Sequence, residues 1–439
     1  MAHFTSSTGE TPSPVPTPSE HAQSIAELLT PLFSRLADPA HAERIDLADP
    51  TAAFGRVLAA DVTSTVAVPP FTNSQMDGYA VRAADLMDAS AEHPVRLTVG
   101  ATSAAGDPVR THAPGTATPV MTGAPIPDGA DAVVQIEVVE PPHFIGIGEG
   151  SHDAPEGTTV AFSTPVAPGT FLRQAGADLS PGATILTAGT RLGSVQLGSL
   201  AAGGVTAVDV QPRPVVLLLS TGHELRTPGE SLGPGQIYDA NTSSLTAALH
   251  EAGAVPVCVS TPDDSAAVLA TIDAHPADLL VTTGGVSAGA FEVVRDALEP
   301  AGVRFGHVAM QPGGPQGYGV ARVTTASGLR EIPVVAFPGN PVSALLSFEM
   351  FLRPLLRSAA GLTPDRKATL APLAHAITSP VGKHQIRRGM LRADGSVEVG
   401  APGSHLLHDY ARATVLAHVP IGVSELPVGA EVEIWRIDE

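Results

Sequence analysis

From residue 214 to residue 360 the chain alternates two kinds of run. PVVLLLS, AVPVCVS, DLLVTT and IPVVAF are short, apolar and β-branched, and read as strands. NTSSLTAALHEAG, PDDSAAVLATIDAH, FEVVRDALEPAG and PVSALLSFEMFLRPLL read as helices between and after them. Strands separated by helices cannot pair through tight hairpins. This order predicts a parallel, doubly wound sheet with helices on both faces and right-handed crossovers. It also places any ligand beyond the C-terminal ends of the strands.

The flanks have another texture. Residues 22–36 space Ile25, Leu28, Leu29, Leu32 and Phe33 as one helical face. A second helix is expected over 50–59, with Asp49 as N-cap and Pro50 at the first position. From 66 to 170 short strand-like runs such as VRLTV and DAVVQIEVVE alternate with Pro/Gly turns, an all-β module. Residues 171–212 carry turn signals and a short helix near 194–201. Residues 363–439 return to short strands and suggest a small β-barrel or sandwich.

A chain of 439 residues exceeds one core and suggests about three domains. Its net charge of −20 argues against nucleic acid or an anionic membrane surface as partner, because phosphate backbones need a basic footprint. Small anionic ligands stay open, since local geometry overrides net charge beyond a screening length of about 8 Å. The single cysteine, Cys258, excludes an intrachain disulfide, and its strand-like setting predicts a small buried residue. Residues 1–20 are rich in Ser, Thr and Pro, with no basic n-region or apolar core, and read as a disordered arm rather than a secretory signal. The apolar run at 215–219 is far too short to span a bilayer. The expectation is a soluble, cytoplasmic protein.

Three strand ends open into small, Gly-rich loops. They hold Ser220, Thr221, Gly222 and Glu224; then Gly284, Gly285 and Ser287; then Pro338, Gly339, Asn340, Pro341 and Ser343. Free N–H groups at helix starts attract anions, and Asn340 followed by Pro341 suits such a start. Neither a P-loop nor a G-x-G-x-x-G turn after a strand occurs. Gly285-Val286-Ser287-Ala288-Gly289 matches the nucleophile elbow of a serine hydrolase, with Asp365 and His405, His408 or His418 as relay candidates. The elbow serine belongs directly at a strand end, whereas Ser287 falls four residues past Thr283. Asp77 lies in a turn, Glu224 and Asp239 lie near strand ends, and Asp263, Asp264 and Glu292 lie at helix starts, where acidic residues serve as caps. Clustered carboxylates repel, and Mg²⁺ carried with phosphate oxygens would relieve them, with Glu224, Asp239 and Asp263 as ligands. HEXXH is absent, and His405 with His408 reads as loop hydrogen bonding.

Five segments taken in order resemble the molybdopterin molybdotransferase family of the MoeA and gephyrin E-domain type. They are Asn73-Ser74 with Met76-Asp77-Gly78-Tyr79-Ala80-Val81-Arg82, Met121-Thr122-Gly123-Ala124-Pro125 with Asp128 to Val133, Ser220 to Leu225, Thr283 to Ser287, and Pro338 to Ala344. The resemblance implies an elongated domain (21–65 with 171–212), an inserted β-domain (66–170), a pterin-binding α/β domain (213–362) and a C-terminal β-barrel (363–439). It implies a homodimer that joins molybdate to adenylylated molybdopterin with Mg²⁺ and releases AMP. A molybdopterin adenylyltransferase and molybdoenzymes would be its partners. By residue matching it assigns catalysis to Asp77, Thr122, Glu224, Asp263 and Glu292. It assigns binding to Arg173, Asp178 and the three Gly-rich loops. The chain departs from the family at Gln311-Pro312-Gly313-Gly314-Pro315, where lysines are common, and its only lysines are Lys367 and Lys383. That departure leaves a scaffold with weak catalysis as the alternative.

Overall fold

A computed structural model describes residues 15–146, 153–286, 292–325 and 328–438. Ser287 lies outside the described residues, as does most of the N-terminal arm. The chain divides into two compact units. One holds residues 1–43, 55–59 and 209–439, and the other holds 44–54 and 60–208.

The first unit is built on a six-stranded sheet. Val215–Thr221 lies between the edge strand Val255–Thr261 and Leu279–Thr283, all parallel. Gly328–Phe337 continues the parallel set next to Leu279–Thr283. The sheet then departs from the all-parallel expectation: Pro315–Thr325 runs antiparallel to Gly328–Phe337, and Val303–His307 runs antiparallel to it in turn. The sheet is therefore mixed. Gly317 and Gly319 broke the β-pattern of this hairpin in the sequence. Gly317 is small for a reason, because a Cβ there would lie 2.6 Å from the Phe305 ring.

The alternation of side chains covers both faces. Val216 and Leu218 pack under Leu245, Leu249, Val342 and Leu346, whereas Leu217 and Leu219 pack under Val268, Ile272, Val294 and Leu298. The helix Pro18–Ala37 joins the first face through Ile25, Leu29, Leu32 and Leu36. Its start is fixed by a capping box: Glu20 N donates to Thr17 Oγ1 at 3.3 Å, and Thr17 N donates to Glu20 Oε2 at 2.7 Å. Order thus begins before residue 20. The helix expected over 50–59 stops at Ala53, with Gly55 at φ +74° just beyond. Cys258 is exposed rather than buried, because Val255–Thr261 is the edge strand; its Sγ lies 3.0 Å from Thr246 Oγ1.

A second sheet in this unit runs Met310–Gln311, His384–Leu391, Val415–Val419, Glu431–Arg436, Ala368–Pro372. Val397–Val399 pairs with His384–Leu391, and a bridge from Leu373 to Val397 brings the ends together, so the sheet is nearly closed. The other unit centres on a six-stranded sheet in the order Ala132–Gln135, Gly78–Val81, Thr116–Val120, Val95–Val99, Thr159–Phe162, Val139–Glu140. Tyr79, Leu86, Val160 and Phe162 fill its core.

Candidate functional site

The C-terminal ends of three parallel strands in the first unit lie side by side, and their loops touch. Gly284 N donates to Phe337 O at 3.1 Å, and Asn241 Nδ2 donates to Gly339 O at 2.7 Å. Gly284 holds φ +86°, and a Cβ on Gly339 would come 3.1 Å from the Gly284 Cα. Both positions need glycine for this approach. A cleft of about 690 Å³ opens at these ends. One wall is Gly284, Gly285, Pro338, Gly339, Asn340 and Ser343, with Glu292 at the next helix start. The loop from Met310 to Pro315 forms a second wall, beside His307.

The third wall comes from the nearly closed sheet and supplies Lys383, Ser404 and His405. Strand pairing delivers them. Met310–Gln311 runs parallel to His384–Leu391, with Gln311 opposite Gln385, and Gln385 Nε2 donates to Gln311 Oε1 at 2.8 Å. His384 N donates to Ala309 O at 2.8 Å. Lys383 is thereby set opposite the loop that lacks lysine. Asn340 precedes the helix Pro341–Ser347 yet makes no capping bond through its side chain. Among the described residues its buried Oδ1 has no partner. A polar atom left this way in a cleft wall is available to a ligand.

Ser220, Thr221, Gly222, Glu224, Asp239, Asp263 and Pro341 are not among the residues lining the cleft. Ser220 and Thr221 are buried. Asp239 caps the helix Ala240–Glu251, accepting from Thr242 N at 2.9 Å and Thr242 Oγ1 at 2.7 Å. Asp263 accepts from His223 N at 3.0 Å and faces His223 Nδ1 at 2.8 Å, while Asp264 caps the next helix. Glu224 is exposed and folds back over Gly222. In the other unit, Asp77 Oδ1 accepts from Thr122 N at 2.6 Å and Thr122 Oγ1 at 2.8 Å. Arg173 and Asp178 are exposed on that unit. The hydrolase relay has no support in the described residues: His418 is buried against His384, and none of His405, His408 and His418 hydrogen-bonds to Asp365.

Residues 17–204 match the family described as MoeA N-terminal region (domain I and II), and residues 217–358 match the probable molybdopterin binding domain. A molybdopterin molybdenumtransferase 2 of Mycobacterium tuberculosis is 43% identical over 401 residues, covering 88% of this chain and 94% of the relative. The chain belongs to the MoeA family. A Nostoc molybdopterin molybdenumtransferase is 32% identical, covering 96% of this chain and 94% of its own length. The crystal structure of a MoeA protein from Pyrococcus horikosii superposes with a TM-score of 0.76 at 29% identity, covering 97% of this chain and all of that one.

Within this MoeA framework, sequence reasoning missed Lys383, Ser404, His405 and His307 as members of the cleft. The available signal was rarity, since Lys383 is one of two lysines in the chain. The proposed Mg²⁺ set is not gathered: no three or more His, Cys, Asp or Glu among the described residues are grouped to hold a metal. Mg²⁺ needs less than that when phosphate oxygens and waters complete its shell. Of the three, Asp239 and Asp263 are engaged by their own loops, whereas Glu224 stands outside the cleft lining with no described residue hydrogen-bonded to its carboxylate.

Proposed function

We propose that the chain joins molybdate to the dithiolene of adenylylated molybdopterin and releases AMP. The carrying observation is that Lys383, Ser343 and the uncapped Asn340 turn face one cleft at the strand ends. Molybdate is a dianion, and an ammonium with hydroxyl and backbone donors is the chemistry that holds it. Asn340 Oδ1, which has no partner among the described residues, would accept an N–H of the pterin. Gly284 and Gly339 let ligand approach the backbone closely. Glu224 would hold Mg²⁺, which when bound neutralises phosphate charge on the substrate. In the other unit, the Asp77 carboxylate is oriented by Thr122, and the family resemblance supports a catalytic role for the pair.

The same reading makes the protein a cytoplasmic homodimer that receives substrate from an adenylyltransferase and passes product to molybdoenzymes. It is consistent with the described helices, none of which is long and apolar enough to cross a membrane. The test is AMP release from adenylylated molybdopterin with Mg²⁺ as molybdate is varied. Release should depend on molybdate. Lys383→Gln should raise the molybdate concentration needed by roughly tenfold to a hundredfold, the worth of a charge-assisted bond of about 1.5–3 kcal/mol. No AMP release from the unaltered protein would remove the proposal.

A further inference from the structure

The first unit has a second cavity of about 400 Å³ that shares His307 with the main cleft. Its apolar walls are Pro16, Phe305, Val308 and the Tyr318 ring, and its polar walls are His21, Arg304, His307 and Gln316. Arg304 is exposed and holds its guanidinium over Tyr318, 5.0 Å from the ring centroid. Tyr318 is held edge-on by His21 at 5.2 Å, and His21 by Phe351 at 4.7 Å. The cation is therefore seated on a fixed aromatic stack.

Two polar atoms in these walls are buried without a partner among the described residues: His21 Nε2 and Gln316 Oε1. His21 is 3% exposed and Gln316 2%. Gln316 spends its amide hydrogens on Gly313 O at 2.7 Å and Ser347 Oγ at 2.6 Å, which leaves its oxygen as an acceptor only. Leaving such atoms unmatched costs about 1–3 kcal/mol each. A ligand that satisfies this cavity needs a negative group for Arg304, a flat apolar body for Tyr318 and Phe305, and an O–H or N–H for Gln316.

We infer that this cavity binds a small hydroxyaryl carboxylate, and that its occupant is felt in the main cleft. Gln316 is the link, because it holds the Gly313 carbonyl of the loop that walls the cleft, and His307 lines both spaces. The site itself needs only the fold; the coupling rests on the proposed molybdate cleft, which titration with molybdate alone tests separately.

The experiment is calorimetric titration of the whole protein with 4-hydroxybenzoate, benzoate and 4-hydroxybenzamide. The first should bind saturably in the micromolar to low millimolar range. Benzoate lacks the donor and 4-hydroxybenzamide lacks the charge, and each should bind at least fivefold more weakly. Arg304→Gln, a surface change, should weaken 4-hydroxybenzoate at least tenfold while leaving 4-hydroxybenzamide binding unaltered. Molybdate affinity, read by the same method, should shift when 4-hydroxybenzoate saturates, and reciprocally. No saturable binding below 10 mM on the order of these probes' usual weak range, or equal binding by Arg304→Gln, overturns the site. Binding without any shift in molybdate affinity overturns the coupling.

Discussion

Lowering the pH from 7 to 5 should destabilise the first unit through two buried histidines. Burial brings the His21 imidazole down to about 4. Burial, aided by the neighbouring His384, brings His418 down to about 3. Both rings are therefore neutral in the folded chain at pH 5, whereas an unfolded histidine titrates near 6.5. The unfolded state binds more protons as pH falls below about 6.5, so stability is lost in that direction and continues to fall until the folded rings protonate. Over the interval from 6.5 to 5 each ring accounts for roughly 2 kcal/mol, at 1.36 kcal/mol per pH unit. The reporter is built in: Trp435 is the only tryptophan, and its ring centroid lies 4.1 Å from that of His418. Urea unfolding followed by Trp435 fluorescence at both pH values measures the loss. His21→Phe preserves the edge-on contacts with Tyr318 and Phe351, and His418→Phe preserves a ring against Trp435. Each variant should recover about half of the two-histidine effect. If both variants lose as much stability between pH 7 and pH 5 as the unaltered protein, the acid sensitivity lies elsewhere and the argument fails.

Glu349 is paired with Arg366 at 2.8 Å and Arg353 at 3.5 Å, each side chain no more than 14% exposed, so Glu349→Gln should cost about 3–5 kcal/mol by stranding two buried guanidinium groups; a loss under about 1 kcal/mol in urea unfolding would contradict this. Native protein should react with a maleimide at Cys258, read by mass spectrometry, and protection until unfolding would refute its edge-strand exposure. Asp77→Asn and Glu224→Gln should fold normally and lose AMP release, and retained release in both would remove their catalytic assignment. Gln311→Lys should tighten molybdate roughly tenfold, about 1.4 kcal/mol, because it would add an ammonium to the cleft wall that Gln311 lines. An unchanged titration would place the oxyanion away from this loop.

The four parallel strands were legible because each is a short apolar run, and each is followed in sequence by a helix. The first strand of the hairpin from Pro315 to Phe337 was not, since its glycines are explained only by tertiary contacts: Gly317 by the Phe305 ring, and Gly319 by the Gly302 and Val303 backbone. The strand-end glycines were legible for the same reason they matter: Gly284 and Gly339 stand where backbone meets backbone. Asp263 and Asp239 could not be separated from ligands by composition, because capping and metal binding use the same side chain, and only the contacts with His223 and Thr242 distinguish them. Lys383 was invisible as a site residue. It lies about seventy residues beyond the loop it faces, and the link between them is a two-residue parallel pairing that leaves no periodic trace.

That pairing also explains a use of positive charge in so acidic a chain. Arg387 and Arg388 are buried on the strand that follows Lys383, and burial lowers the pKa of both. Neither forms a salt bridge among the described residues; each donates instead to main-chain carbonyls. Arg387 Nε donates to Gly400 O at 2.9 Å, and Arg388 donates to Ala401 O at 3.1 Å and Gly403 O at 2.8 Å. The segment so held runs directly into Ser404 and His405 in the cleft wall. Hydrogen bonds to charged groups contribute about 1.5–3 kcal/mol each, enough to fix a Gly/Pro-rich loop that makes few apolar contacts of its own. The hydrogen-bond partners are carbonyls rather than carboxylates, and only Arg388 feels a nearby carboxylate, that of Asp409. One strand therefore follows Lys383 into the cleft wall and, two turns of the pleat later, anchors the segment that leads to Ser404 and His405 in that same wall.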